Sequence, residues 1–201
     1  LLYINSMKKI IDAYLNTFES GLSENLGYAV LTYPYRNRPP FSPGGLIRST
    51  ADVKKLVRHL YQLRHGSQYD KRVRRNGSDM HVVVIPEPHA DHSIHWNLYL
   101  SVKLGSLPFD DVRQTWSKRV LGFDSVQPDL CKCQKVTPGT ERHVLEYAFK
   151  SKDRWFHEEM VGAILTTDLI FRHTRSVTSE RQGPQKPVMD WGNLPFQATT
   201  P

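Results

Sequence analysis

The chain has 201 residues, 39% of them hydrophobic and 23% charged, which fits one large globular domain or one domain with extensions. Its formal net charge of +7 and sequence pI of about 9.4 favour a polyanionic partner, nucleic acid before membrane. No apolar run approaches the ~20 residues of a membrane span, and two cysteines, Cys131 and Cys133, are too few for a disulfide framework, so they read as reduced thiols of an intracellular protein.

Residues 1–26 read as an amphipathic helix rather than a secretory signal, with Met7, Ile10, Ile11, Tyr14, Leu15 and Phe18 at helical spacing. The chain opens on Leu1 rather than Met, so it reads as a segment of a longer protein, with a helicase or other domain beyond it. Gly27 stops the helix, and Tyr28–Tyr33 is a short β-rich run closed by Pro34. Prolines and Gly44-Gly45 give residues 36–49 a loop composition. Ser49 or Thr50 is the expected cap of a helix whose buried stripe is Val53, Leu56, Val57, Leu60 and Leu63. Lys71-Arg72-Val73-Arg74-Arg75-Asn76-Gly77 reads as a basic loop ending in a tight turn, equally a solvated segment or a DNA-contacting patch.

His81–Ile85 is a β-branched strand, residues 86–93 a turn, and Ile94–Leu104 an alternating strand. Trp96, Leu98, Leu100 and Val102 point one way; His95, Asn97, Tyr99 and Ser101 point the other. A helix follows from Pro108 to Gly122, then a strand at Cys131–Val136, a helix from Glu141 to about Arg154, and an apolar run at Met160–Phe171. From Ser176 on the chain is polar and reads as a loose tail; Arg172 and Arg175 just before it and Arg181 within it read as solvated as readily as DNA-contacting. The order predicts an α+β fold, an antiparallel sheet with helices packed on it. It divides into a helical extension (1–26), a central domain (27–175) and a tail (176–201).

The hairpin carries the chemistry. His95 and Asn97 project from one face, and Glu87, eight residues before His95, folds back beside them. A carboxylate, an imidazole and an amide make a half-filled coordination sphere suited to Mg²⁺ or Mn²⁺; zinc ordinarily asks for more His or Cys. Tyr147 and Lys150, three apart, share a helix face. A phenol of ordinary pKa about 10 is a poor nucleophile near neutral pH, and nearby cations lower that cost. Tyr147 would attack phosphorus to give a covalent phosphotyrosine, with Lys150 orienting the phosphate. Taken singly, each string has a plainer reading: a hydrogen-bonded histidine at His95, or a helix-packing tyrosine at 147. His89 and His92 sit in the turn, facing solvent or phosphate, His89 being the better candidate.

Together these strings resemble the HUH endonucleases, initiators of rolling-circle replication, and in motif form the Rep proteins of geminiviruses and related circular single-stranded DNA viruses. The first motif of those proteins, F-L-T-Y-P, is matched by Leu31-Thr32-Tyr33-Pro34 with Val30 in place of Phe. The second, E-x-H-x-x-G-x-x-H-U-H with U hydrophobic, is matched in frame by Glu87, His89, His95 and Trp96. The third, Y-x-x-K, is matched by Tyr147 and Lys150. The likeness covers roughly residues 27–152. It implies a metal held by Glu87, His95 and Asn97, a Tyr147 nucleophile, and DNA contacts from Tyr33, Arg36 and His89, with Arg72, Arg74 and Arg75 tracking phosphates. The substrate would be single-stranded or hairpin DNA, at a replication origin or transposon end. The setting would be a bacterial cytoplasm or a eukaryotic nucleus.

Two departures stand out. The last histidine of the motif is Asn97, where some viral members carry Gln. Either the metal is hard, or the site is weak, or catalysis is lost and a DNA-binding module remains. Fifty-two residues separate Pro34 from Glu87, so 36–49 and 64–77 read as insertions. An unrelated RNA-binding or metal phosphoesterase domain is a third reading, weakened because the paired H-x-T/S motifs of two-histidine phosphodiesterases are absent.

Overall fold

The computed structural model describes residues 25–148 and 165–166. β-Branched and aromatic residues are concentrated in the strands β2 (Met80–Pro88) and β3 (Ile94–Val102), which β1 (Leu26–Leu31), β4 (Cys131–Lys135) and β5 (Leu165–Thr166) extend. They form a five-stranded sheet in the order β4-β1-β3-β2-β5, every neighbouring pair antiparallel. The α+β class expected from the sequence is the one observed. No helix among the described residues is long and apolar enough to cross a membrane.

Side-chain alternation splits this sheet into two unlike faces. Ala29, Leu31, Val82, Val84, Trp96, Leu98 and Leu100 point into the core. Against them packs α1 (Pro43–His65), burying Leu46, Val53, Leu56, Val57, Leu60 and Tyr61. The helix α3 (Phe109–Gln114) and the π-helical turn that continues it (Thr115–Val120) close the same layer. Trp116 is fully buried and donates its indole N–H to the Thr32 carbonyl at 2.9 Å. The other face carries Glu87, His95, Asn97, Tyr99 and Ser101. Towards it comes α4 (Glu141–Ala148), where the Tyr99 hydroxyl donates to the Val144 carbonyl at 3.4 Å.

Two expectations are corrected. The first is the loop at 36–49. Helix α1 begins at Pro43, and its cap is Ser42, whose hydroxyl accepts from the Gly45 N–H at 3.2 Å. Gly45 is required there, since a Cβ would fall 1.9 Å from the Pro40 carbonyl oxygen. The residues before the helix clamp the β2–β3 turn. Phe41 N–H donates to His92, Ile94 N–H donates to Pro39, and Arg38 pairs with Asp91 at 2.8 Å. The second is the basic loop at 64–77. Tyr69–Asn76 is a helix, α2, and Asn-Gly is its end, with Gly77 at φ 72° as the reversing residue. Tyr69 and Val73 anchor it on the core.

The expectations for residues 1–24, for Met160–Phe171 apart from the short strand β5, and for the tail lie outside the described residues.

Candidate metal and nucleophile site

The site grows out of the β2–β3 register. Glu87 pairs directly with His95, and Ile85 with Asn97, so Glu87, His95 and Asn97 share one sheet face at the closed end of the hairpin. Their side chains converge. Glu87 Oε2 lies 3.1 Å from His95 Nε2 and accepts from Asn97 Nδ2 at 2.8 Å. The carboxylate and the imidazole are mostly covered, with side-chain exposures of 16% and 13%, so their attraction is little screened by water.

These distances bear on whether the trio could hold a cation. Neighbouring ligands of an octahedral ion with bonds of ~2.1 Å stand about 3.0 Å apart, close to the spacings found. A half-turn of the Asn97 amide would present oxygen where nitrogen now donates. The imidazole would shift its proton to Nδ1, which is buried without a hydrogen-bond partner among the described residues. Metal-bound imidazoles ordinarily have an acceptor there; here the His89 ring, 4.2 Å from that of His95 between centroids, packs against it and holds its plane. Among the described residues no three His, Cys, Asp or Glu side chains are grouped to share a metal ion. A third donor for a cation beside Glu87 and His95 would come from the Asn97 amide. With one charged ligand and two neutral ones, a hard cation such as Mg²⁺ or Mn²⁺ fits better than zinc.

The turn that carries His89 is rigidly tied. Asp91 accepts from the Ser93 hydroxyl and N–H and from Arg38. The Ser93 bonds first, then Arg38, hold its carboxyl well below the ordinary range. His92 takes the left-handed conformation at the tip, φ 59°. His89 itself is half-buried, and burial before all else, then the charges of His95 and Arg38, lowers its pKa. Its ring packs on His95, and its Nε2 is buried without a partner among the described residues. The structure thus places His89, a DNA contact in the sequence reading, half-buried in the turn beside the trio.

Tyr147 lies in the last turn of α4 and is 62% exposed. It follows Val144 by three residues, about one turn along the helix from the carbonyl that accepts from the Tyr99 hydroxyl. Tyr99 stands two residues beyond Asn97 on the same sheet face. Burial raises its phenol pKa, with the Glu87 charge adding to the effect. It stays a neutral donor that ties helix to sheet. Sequence reading put Tyr99 on this face without giving it a task. Lys150 lies outside the described residues.

The remaining expected contacts separate. Tyr33 is only 4% exposed; its hydroxyl donates to Asp52 at 3.2 Å and its ring meets Trp116 edge-on at 5.2 Å. Burial, then the Asp52 charge, raises its pKa. A residue so packed is a core residue, and its assignment to DNA is corrected. Arg36 is exposed in a 3₁₀ turn (Tyr35–Asn37). Arg72, Arg74 and Arg75 lie on α2 beside the start of β2, seven residues from Glu87, about 23 Å at ~3.3 Å per residue. They cannot touch the same phosphate as the trio.

Compared with known proteins, the chain matches no family model, and no curated protein matches it in sequence.

Proposed function

We propose that this chain is a metal-dependent single-strand DNA nickase and strand transferase that uses Tyr147 as nucleophile. The observation that carries the reading is the convergence of His95 Nε2 and Asn97 Nδ2 on one oxygen of Glu87, on the sheet face that α4 approaches. Glu87, His95 and Asn97 would hold Mg²⁺ or Mn²⁺, which would offset negative charge on a bound phosphate. Glu87 supplies the anionic ligand, His89 fixes the imidazole plane, and Tyr99 fixes the helix that carries the nucleophile. The Tyr147 oxygen attacks phosphorus and loses its proton as the bond to the 3′ oxygen breaks. The 3′ oxygen takes up a proton, leaving a 5′-phosphotyrosine and a free 3′ hydroxyl. The phosphoester bond is conserved, so the reverse attack rejoins the strand.

The test is an adduct assay. Labelled single strands incubated with the protein and Mn²⁺ give a covalent complex on a denaturing gel, and Tyr147→Phe abolishes it. A full yield of adduct from Tyr147→Phe would refute the assignment.

A second reading is favoured by one departure: Asn97 stands where the motif has its last histidine, and its amide nitrogen donates to Glu87. In that case the chain binds DNA and does not cut it, and the same gel shows no adduct while a mobility shift persists.

A further inference from the structure

At ~100° per residue, Arg74, Lys71, Arg75 and Arg72 follow one another around α2 over an arc of about 160°. Val73 and Tyr69, packed on the core, occupy the opposite side. Three pairs at spacing three or four, Lys71–Arg74, Lys71–Arg75 and Arg72–Arg75, place like charges side by side, which opposes helix formation. Among the described residues, the contacts that oppose this include two. Asp70 pairs with Arg74 at 2.8 Å, and Arg72 donates to the His65 carbonyl at 2.8 Å. Lys71 and Arg75 are exposed. Beside the end of the helix opens a cavity of about 510 Å³ lined by Arg64, His65, Asn76, Ser78, Asp79 and Lys103. Across helix and cavity rim, six Lys and Arg side chains face two carboxylates. A short helix that carries this much self-repulsion is relieved by a polyanion.

We infer that the outer face of α2, with Lys103 beside it, is a docking surface for the phosphate backbone of double-stranded DNA. Proteins that grip single strands stack bases on aromatic rings. This face has none, since Tyr69 is turned to the core. Cations alone grip phosphates and ignore bases. The surface lies about 23 Å along the hairpin from Glu87, close to seven base-pair steps at ~3.4 Å. Duplex beside the nicked strand would therefore reach it; that placement rests on the proposed function, whereas the surface does not.

The experiment measures anisotropy of labelled DNA, a ~20-base-pair duplex and a single strand of the same length, between about 50 and 200 mM KCl. Lys71→Gln/Arg75→Gln/Lys103→Gln is expected to lower the duplex slope of log affinity against log salt by about 2 to 3, at ~0.9 per phosphate contact. The single-strand slope moves by less than ~1. The charge-conserving Lys71→Arg/Arg75→Lys keeps the duplex slope, which excludes unfolding of α2 as the cause. An unchanged duplex slope in the triple variant, an equal loss on both DNAs, or a lost slope in the charge-conserving variant would each overturn the inference. No step requires cleavage, so a chain that forms no adduct still tests it.

Discussion

Two carboxylates flank β2, Asp79 just before it and Glu87 near its end, and they are held in opposite ways. At the open end Asp79 meets Arg64, whose Nε and Nη2 each reach one of its oxygens while Nη2 also donates to the Leu104 carbonyl. A guanidinium is permanently charged and matches a carboxylate in a two-pronged fork, so this pair is saturated. At the closed end Glu87 meets His95 and Asn97 through a single oxygen. Both donors are neutral or titratable, and each can turn a lone pair inward in place of a hydrogen. A divalent ion in place of those hydrogens would keep one net positive charge, which a phosphate could meet. The first arrangement is architecture; the second suits chemistry.

This contrast is broken first at Glu87. Glu87→Gln is expected to cut metal-dependent adduct formation by at least ~10²-fold, because the anionic ligand is gone. The melting temperature should move by no more than about 2 °C, since the amide still accepts a hydrogen bond. Asp79→Asn should do the reverse. It unpairs Arg64 at a site about one-third exposed, so after discounting for solvent it costs ~1 kcal/mol, lowering the melting temperature by about 2–4 °C. Adduct yield should stay within about twofold. If Glu87→Gln proved the more destabilising and Asp79→Asn the more inactivating, the two ends would have been assigned the wrong way round.

Acid sharpens the same difference. The Arg64 hydrogen bond, ahead of its charge, holds the Asp79 carboxyl below its ordinary 3.8. A carboxyl depressed in the fold contributes stability that is fully present above the unfolded value and is lost as pH falls through the folded one. The melting-temperature gap between wild type and Asp79→Asn should thus be complete near neutral pH and close below 3.8. A gap that persisted in stronger acid would deny the ion pair its role. The smallest effect is expected from Asn97→His, which adds an imidazole to the trio. Adduct yield should hold or rise a few-fold, and half-saturation by Mn²⁺ should come at lower concentration. A marked loss there would show that the amide is not in a ligand position.

The hairpin was legible because its pattern has period two and both strands obey it. Trp96 must go inward, so His95 and Asn97 go outward, and a short turn leaves Glu87 opposite His95. Helix α2 was illegible for the converse reason. Its apolar anchors among the described residues are Tyr69 and Val73, and Asn76-Gly77 reads equally as a hairpin turn or a helix end. The start of α1 was hidden because Pro43-Gly44-Gly45 has loop composition. The glycine is there for the close approach of the Pro40 carbonyl, a contact between chain segments that no local pattern encodes. Tyr33 misled similarly: at the end of a strand its exposure depends on Trp116 and Asp52, both distant in sequence.

The central claim is spatial, that one cation site lies beside Glu87, His95 and Asn97 and within reach of Tyr147, away from Asp79. Titrating isotope-labelled protein with Mn²⁺ and following paramagnetic broadening by NMR tests it directly. The account predicts that His95, Asn97 and the Tyr147 ring broaden together at the lowest Mn²⁺ concentrations, with Asp79 and Arg64 still sharp, and that Glu87→Gln abolishes the effect. Broadening centred on Asp79, or a Tyr147 ring that stays sharp while His95 disappears, would contradict it.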